Sequence, residues 1–199
     1  GVCRLLVAVG CLVQKYAQEL AAELPEVDIL VGTNDYRQIV SIIKNHKEEQ
    51  EIVVHTNWTE ESKEEAAPRI ITTPEHYAYL RISEGCDNNC TYCVIPEMQG
   101  PYRSKTIEQI KEEAVLLAEN GVTELILVAQ DSSYYGKDLY GRFALVDLLK
   151  ELAAIPQIRW IRLLYAYPNN FDDEMIDYIA SEEKICKYLD IPLQHADDE

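Results

Sequence analysis

The sequence predicts an α/β chain built from parallel strand–helix units in two successive parts, residues 1–67 and 68–199. Three observations carry this. Short apolar runs alternate with segments whose apolar residues recur every three or four positions, as strands and amphipathic helices do. Pro, Gly and Asn stand where these segments end. A tract from Lys47 to Glu65, with seven glutamates against two lysines and little periodicity, divides a two-strand part from a part with four strand–helix units.

Arg4 to Gly10 is an apolar run closed by glycine, the pattern of a buried strand. Leu12, Tyr16, Leu20 and Leu24 then recur at intervals of four and define a helix stripe that Pro25 ends. Asp28 to Val31 is a second strand. Gly32-Thr33-Asn34-Asp35 opens a second helix carrying Tyr36, Ile39, Val40 and Ile43. Two strands are too few to stand alone, so this part reads as the tail of a parallel α/β domain. The acidic tract reads as a linker or solvated hairpin.

The second part starts with a strand over Tyr77 to Ile82. Thr106 and Gln109 form a capping box for a helix with Ile107, Ile110, Ala114, Leu117 and Ala118 on one face, ended by Asn120-Gly121. A strand over Leu125 to Val128, a helix over Leu145 to Leu152 and a strand over Trp160 to Leu164 follow. A helix over Glu174 to Ala180 and a strand over Tyr188 to Ile191 complete the pattern. Four such units make half of an eight-unit barrel.

The chain has 199 residues, 47% of them hydrophobic, enough to bury a real core. No apolar run approaches the length of a membrane span, and the first residue is glycine with no basic-apolar leader. These features predict a soluble chain, processed or truncated at both ends. Six cysteines, three clustered and three scattered, favour reduced thiols and a cytoplasmic location over a disulfide scaffold. The net charge of −17 argues against a phosphate-neutralising nucleic-acid surface and suits a cationic protein partner.

The chemistry concentrates in Glu84-Gly85-Cys86-Asp87-Asn88-Asn89-Cys90-Thr91-Tyr92-Cys93. Thiolates suit iron–sulfur clusters, and a short loop can aim all three sulfurs at one site. Three cysteines on a four-iron cubane leave one iron open to a small molecule. Structural zinc would want a fourth Cys or His at fixed spacing, and His76 stands at no such interval. Three buried or disulfide-bonded cysteines are the plain alternative.

This CxxxCxxC loop, with an aromatic before its last cysteine, resembles the radical S-adenosylmethionine (SAM) superfamily. The words Ala78-Tyr79-Leu80-Arg81-Ile82-Ser83-Glu84-Gly85-Cys86 and Ala129-Gln130-Asp131-Ser132-Ser133-Tyr134-Tyr135-Gly136 narrow the resemblance to methylthiotransferases, and within them to the RimO family. The resemblance implies that residues 1–67 are the C-terminal part of the N-terminal methylthiotransferase domain. Residues 68–199 would then be the first half of a radical SAM barrel of partial TIM type. It implies a [4Fe–4S] cluster at Cys86, Cys90 and Cys93, with SAM chelating the open iron and Tyr92 against the adenine. An electron passed from a donor would cleave SAM, and the resulting radical would take hydrogen from the β-carbon of an aspartate in a small-subunit ribosomal protein, the twelfth. A methylthio group would then be added from a second cluster.

Cys11, in Val9-Gly10-Cys11-Leu12, matches the family's last ligand for that second cluster; its two partners would lie upstream. Gln130 and Gln194 are candidate polar contacts to SAM or substrate, or simply caps of strand ends. His195 is a candidate ligand or base, or neither. Cys3 and Cys186 read as packing residues. No catalytic residue proper is assigned. The family usually shows arginine at Gln99 and often at Lys105, while Arg103 is retained. A tRNA adenosine methylthiotransferase is the nearest alternative, although that group more often shows Gly-Gln-Asn where this chain has Ala129-Gln130-Asp131. A non-catalytic metal-binding domain is the other.

Overall fold

The computed structural model describes residues 3–46, 51–57 and 70–193. The chain divides into two compact units, one of residues 1–63 with 88–100 and the other of residues 64–87 with 101–199.

The first unit is built on a parallel sheet of β1 (Val7–Val9), β2 (Ile29–Val31) and β3 (Val53–His55), in that order, with Val7 opposite Ile29 and Ile29 opposite Val53. All three residues of β2 are buried, because a central parallel strand is covered on both faces. Leu30 packs with Val13 and Val27, and Ile29 and Val31 pack with Ile42. The third strand lies inside the tract read as linker or solvated hairpin. The apolar run Ile52-Val53-Val54 is too short to stand out among glutamates, yet Val53, Val54 and His55 pair in register with all three residues of β2.

Helix α1 (Cys11–Glu23) forms where the spacing predicts, but a different face is buried. Leu12, Tyr16 and Leu24 are exposed, while Val13 and Ala17 are buried and Leu20 and Ala21 pack beside them. Residues at i, i+4, i+7 and i+8 make a continuous stripe, and small Ala17 lets the helix approach the sheet. The second helix likewise turns its expected face outward. It opens with a 3-10 turn at Tyr36–Gln38 and continues as α2 (Ile39–Asn45), burying Ile42 and leaving Tyr36, Val40 and Ile43 exposed.

The second unit has a parallel sheet of β4 (Tyr77–Arg81), β7 (Glu124–Val128) and β8 (Trp160–Leu163). Between β4 and β7 a two-stranded antiparallel ribbon intervenes, β5 (Ser83–Glu84) with β6 (Arg103–Ser104). The same interval holds α3 (Ile95–Gln99), which belongs to the first unit, and α4 (Ile107–Glu119). After β7 come a 3-10 turn at Ser132–Tyr134, a one-turn helix α5 (Lys137–Tyr140) and α6 (Leu145–Ala153). Helix α7 (Asp173–Ser181) follows β8.

The capping box of α4 is present in full, and its Ile110, Ala114, Leu117 and Ala118 are buried on the sheet. Leu145, Leu148, Leu149 and Leu152 of α6 are buried in the same core. Each contributes about 1.5–3 kcal/mol by removal from water. A fourth strand over Tyr188 to Ile191 does not form. The chain meets β8 earlier, through a single parallel bridge between Ile161 and Ile185, and beyond β8 Ala166 N–H donates to the Asp190 carbonyl at 2.9 Å.

Candidate cofactor site

Strand β4 delivers the chain to β5, and the cysteine loop leaves from its end, at the C-terminal edge of a parallel sheet where ligand sites gather. No disulfide involves any of the six cysteines. Cys86 is buried and Cys90 and Cys93 are half-buried. Cys93 N–H donates to the Cys90 carbonyl at 3.0 Å, and Tyr92 is exposed. Among the described residues no three Cys, His, Asp or Glu side chains stand in metal-binding geometry. The donor set itself fits an iron–sulfur cluster: three unoxidised thiols on one loop of eight residues.

The neck of that loop is fastened. Ser83 pairs with Ser104 and Glu84 with Arg103, whose guanidinium also stands 3.4 Å from the Glu84 carboxylate. Arg81 ion-pairs with Glu84 from the other side. Tyr102 N–H donates to Asp87 Oδ1 at 2.8 Å. Within the first unit, α3 is tied to α1 by Lys15 Nζ to Glu97 Oε2 at 2.7 Å and by Gln99 Nε2 to Cys11 Sγ at 2.9 Å. The glutamine at the family's arginine position thus donates to the candidate ligand Cys11. Lys105 ion-pairs with Glu113 at 3.2 Å, so the charge kept there serves a neighbouring helix.

A buried polar network, which single residues in the sequence do not announce, occupies the ends of β7 and β8. Asp131, Ser132 and Ser133 are all buried. Asp131 Oδ1 accepts from Ser133 N–H at 3.1 Å and Ser133 Oγ at 2.5 Å, and Oδ2 accepts from Asn170 Nδ2 at 3.1 Å. Ser132 N–H donates to the Tyr165 carbonyl at 2.7 Å and its hydroxyl to the Leu164 carbonyl at 2.6 Å. Tyr165 has φ 56°, the one left-handed non-glycine among the described residues, a conformation that persists only where neighbours hold it. Tyr102 Oη donates to the Asp131 carbonyl at 2.8 Å, and burial pushes this phenol well above its usual range.

Of the expected contacts, Gln130 follows β7 and is exposed, while Gln194 and His195 lie outside the described residues. Burial raises the Cys186 thiol, as suits an inert packing residue. Cys3 is exposed instead of packed.

The radical SAM superfamily domain matches residues 80–199, from the end of β4 through the cysteine loop and beyond. The chain belongs to the radical SAM superfamily. It is 50% identical over 196 residues to the ribosomal protein uS12 methylthiotransferase RimO of Clostridium tetani, covering 98% of this chain and 44% of that protein. The protein of the same name from Acetivibrio thermocellus is 50% identical over 202 residues, covering 98% and 45%. That from Trichlorobacter lovleyi is 48% identical over 198 residues, covering 100% and 44%. The chain therefore spans less than half the length of these relatives. Among solved structures, the radical SAM methyltransferase TsrM from Kitasatospora setae, with tryptophan and a SAM analogue bound, reaches a TM-score of 0.48 at 18% identity. It covers 62% of this chain and 23% of that one, a likeness too slight to inform the site. Among the described residues of this radical SAM chain, no helix is long and apolar enough to cross a membrane.

Proposed function

We propose that this chain is part of a cytoplasmic RimO-type methylthiotransferase, which adds a methylthio group to the β-carbon of an aspartate in ribosomal protein uS12. The observation that carries the reading is the CxxxCxxC loop at the sheet's C-terminal edge, in a chain about half identical to RimO proteins along nearly all its length. In this reading residues 1–67 end the N-terminal domain and residues 68–199 begin the radical SAM barrel.

Cys86, Cys90 and Cys93 hold the [4Fe–4S] cluster, and Cys11 is one ligand of a second cluster. Bound cluster and SAM supply the radical chemistry, with the electron coming from an external donor. The protein's residues position and shield. Tyr92, Gln130 and Gln194 line the SAM site. The Asp131 network fixes the turns after β7 and β8, so that Gln130 is presented from a rigid edge. The acidic chain, net −17, complements a basic ribosomal protein better than RNA.

The test is mass spectrometry of uS12 and of tRNA after anaerobic incubation with the full-length protein, SAM, a reductant and sulfide. A methylthio mass gain on uS12 alone supports the reading. Modified tRNA with untouched uS12 transfers it to the tRNA enzymes. Zinc in place of iron in the isolated protein makes it a metal-binding domain.

A further inference from the structure

Tyr102 is 3% exposed, stands just before β6 in the second unit and bonds in two directions. Its N–H donates at 2.8 Å to Oδ1 of Asp87, the neighbour of Cys86, and its hydroxyl donates at 2.8 Å to the Asp131 carbonyl after β7. Asp131 and the two serines beside it are joined in turn to the segment after β8. Asn170 Nδ2 donates to Asp131 Oδ2 at 3.1 Å, Ser132 N–H to the Tyr165 carbonyl at 2.7 Å and Tyr167 N–H to Ser133 Oγ at 3.0 Å. One buried hydroxyl therefore completes a hydrogen-bonded path from the start of the cysteine loop to the ends of β7 and β8. Packing alone does not require it. The Tyr102 ring meets Tyr134 edge-on with centroids 5.0 Å apart, a contact that phenylalanine would keep. The Asp131 carbonyl has a second, longer donor in Tyr134 N–H at 3.4 Å, so it is not orphaned without the hydroxyl. The ribbon is also held to the segment after β7 by Ser104 N–H and Oγ to Asp138 and by Tyr135 Oη to the Lys105 carbonyl, so the fold stays fastened when the hydroxyl is removed. What the hydroxyl adds is the link between loop and turn.

We propose that Tyr102 is a positioning residue, its hydroxyl coupling the start of the cysteine loop to the turn that carries Gln130. A disturbance at Asp87 then reaches the turns after β7 and β8 through Tyr102, and the held turn presents Gln130 in one orientation. The second of these effects rests on the placement of Gln130 at the SAM site proposed above, and adds to it a residue that acts through Gln130.

The experiment uses the full-length protein. Hydrogen exchange of the iron-free form is followed at the Ser132, Ser133 and Tyr167 amides for Tyr102→Phe, Asp87→Ala and the double variant. SAM binding to the iron-loaded form is measured by equilibrium dialysis without reductant for Tyr102→Phe, Gln130→Ala and their double variant. Tyr102→Phe and Asp87→Ala should each speed exchange roughly 3–10-fold, and the double variant no further than Tyr102→Phe alone. Tyr102→Phe should weaken SAM binding by a similar factor with the parent's iron content, and should add nothing in the Gln130→Ala background. Unchanged exchange in Tyr102→Phe overturns the proposal, as do additive effects in either double variant. So does parent-like SAM binding by Tyr102→Phe where Gln130→Ala binds poorly. Loss of iron in Tyr102→Phe also overturns it, because the hydroxyl would then serve the cysteine loop alone. Parent-like SAM binding by Gln130→Ala instead overturns the placement of Gln130 and the effect that rests on it, while exchange at the turns still decides the coupling.

Discussion

Asp131→Ala should weaken the second unit more than any other single polar substitution at the sheet edge. The carboxylate accepts hydrogen bonds from the buried Ser133 N–H and Ser133 Oγ and from the half-buried Asn170 Nδ2. Two of these donors keep a second acceptor: Ser133 Oγ still reaches the Tyr167 carbonyl at 3.2 Å, and Asn170 Nδ2 reaches Ser133 Oγ at 3.3 Å. Ser133 N–H keeps none and is left buried and unsatisfied. One orphaned donor costs about 1–3 kcal/mol, and weakening the other two bonds adds roughly 1 kcal/mol each. The expected loss is thus on the order of 3–5 kcal/mol. Asp131→Asn should cost only about 1 kcal/mol, because its carbonyl can serve Ser133 while the Asn170 amide flips to accept from its NH2 group. Urea unfolding of the iron-free full-length protein, followed by circular dichroism, measures both. A loss below about 1 kcal/mol for the alanine variant, or equal losses for the two, would refute this account of the network.

Cys90→Ala should remove most of the iron bound at the cysteine loop, whereas Cys186→Ala should leave it unchanged, as measured by iron and sulfide analysis. Gly136→Ala should destabilise by about 2 kcal/mol or more, read from the same unfolding curves. Gly136 has φ +86°, and an added Cβ would stand 2.5 Å from Ala144 Cβ. Leu148→Ala should cost about 2–5 kcal/mol, because Leu148 is fully buried in the core of the second unit and its truncation leaves a cavity there.

What could be read from the sequence was what local spacing encodes. The capping box at Thr106, the stripe from Ile110 to Ala118 and the four leucines of α6 each specify their helix and its buried face within a few residues. Helix α1 shows the limit. Its leucines and tyrosine advertise one face, but the sheet selects Val13 and Ala17, where a small side chain permits close approach. Strand β3 was hidden because two valines and a histidine gain meaning only from β2, more than twenty positions upstream. The strand expected over Tyr188 to Ile191 is missing because ladder pairing, not apolar content, decides a strand, and the chain touches β8 at Ile185 instead. At the site the contrast repeats. The cysteines declare themselves by spacing, while Asp131 and Asn170 are 39 residues apart and meet only once both strands are in register.

The ribbon of β5 and β6 has a consequence for how the proposed cluster would be received. Because Glu84 and Arg103 already face each other, the segment 85–102 is a closed loop before any ligand binds. Closing a flexible loop of that length costs about 2.5 kcal/mol of chain entropy, apart from a constant. The folded protein has met that cost in advance, so a cluster held at Cys86, Cys90 and Cys93, as proposed, would not have to close the loop. On the proposed ligand assignment, assembly would be capture by a loop whose neck the Glu84–Arg103 pair already holds.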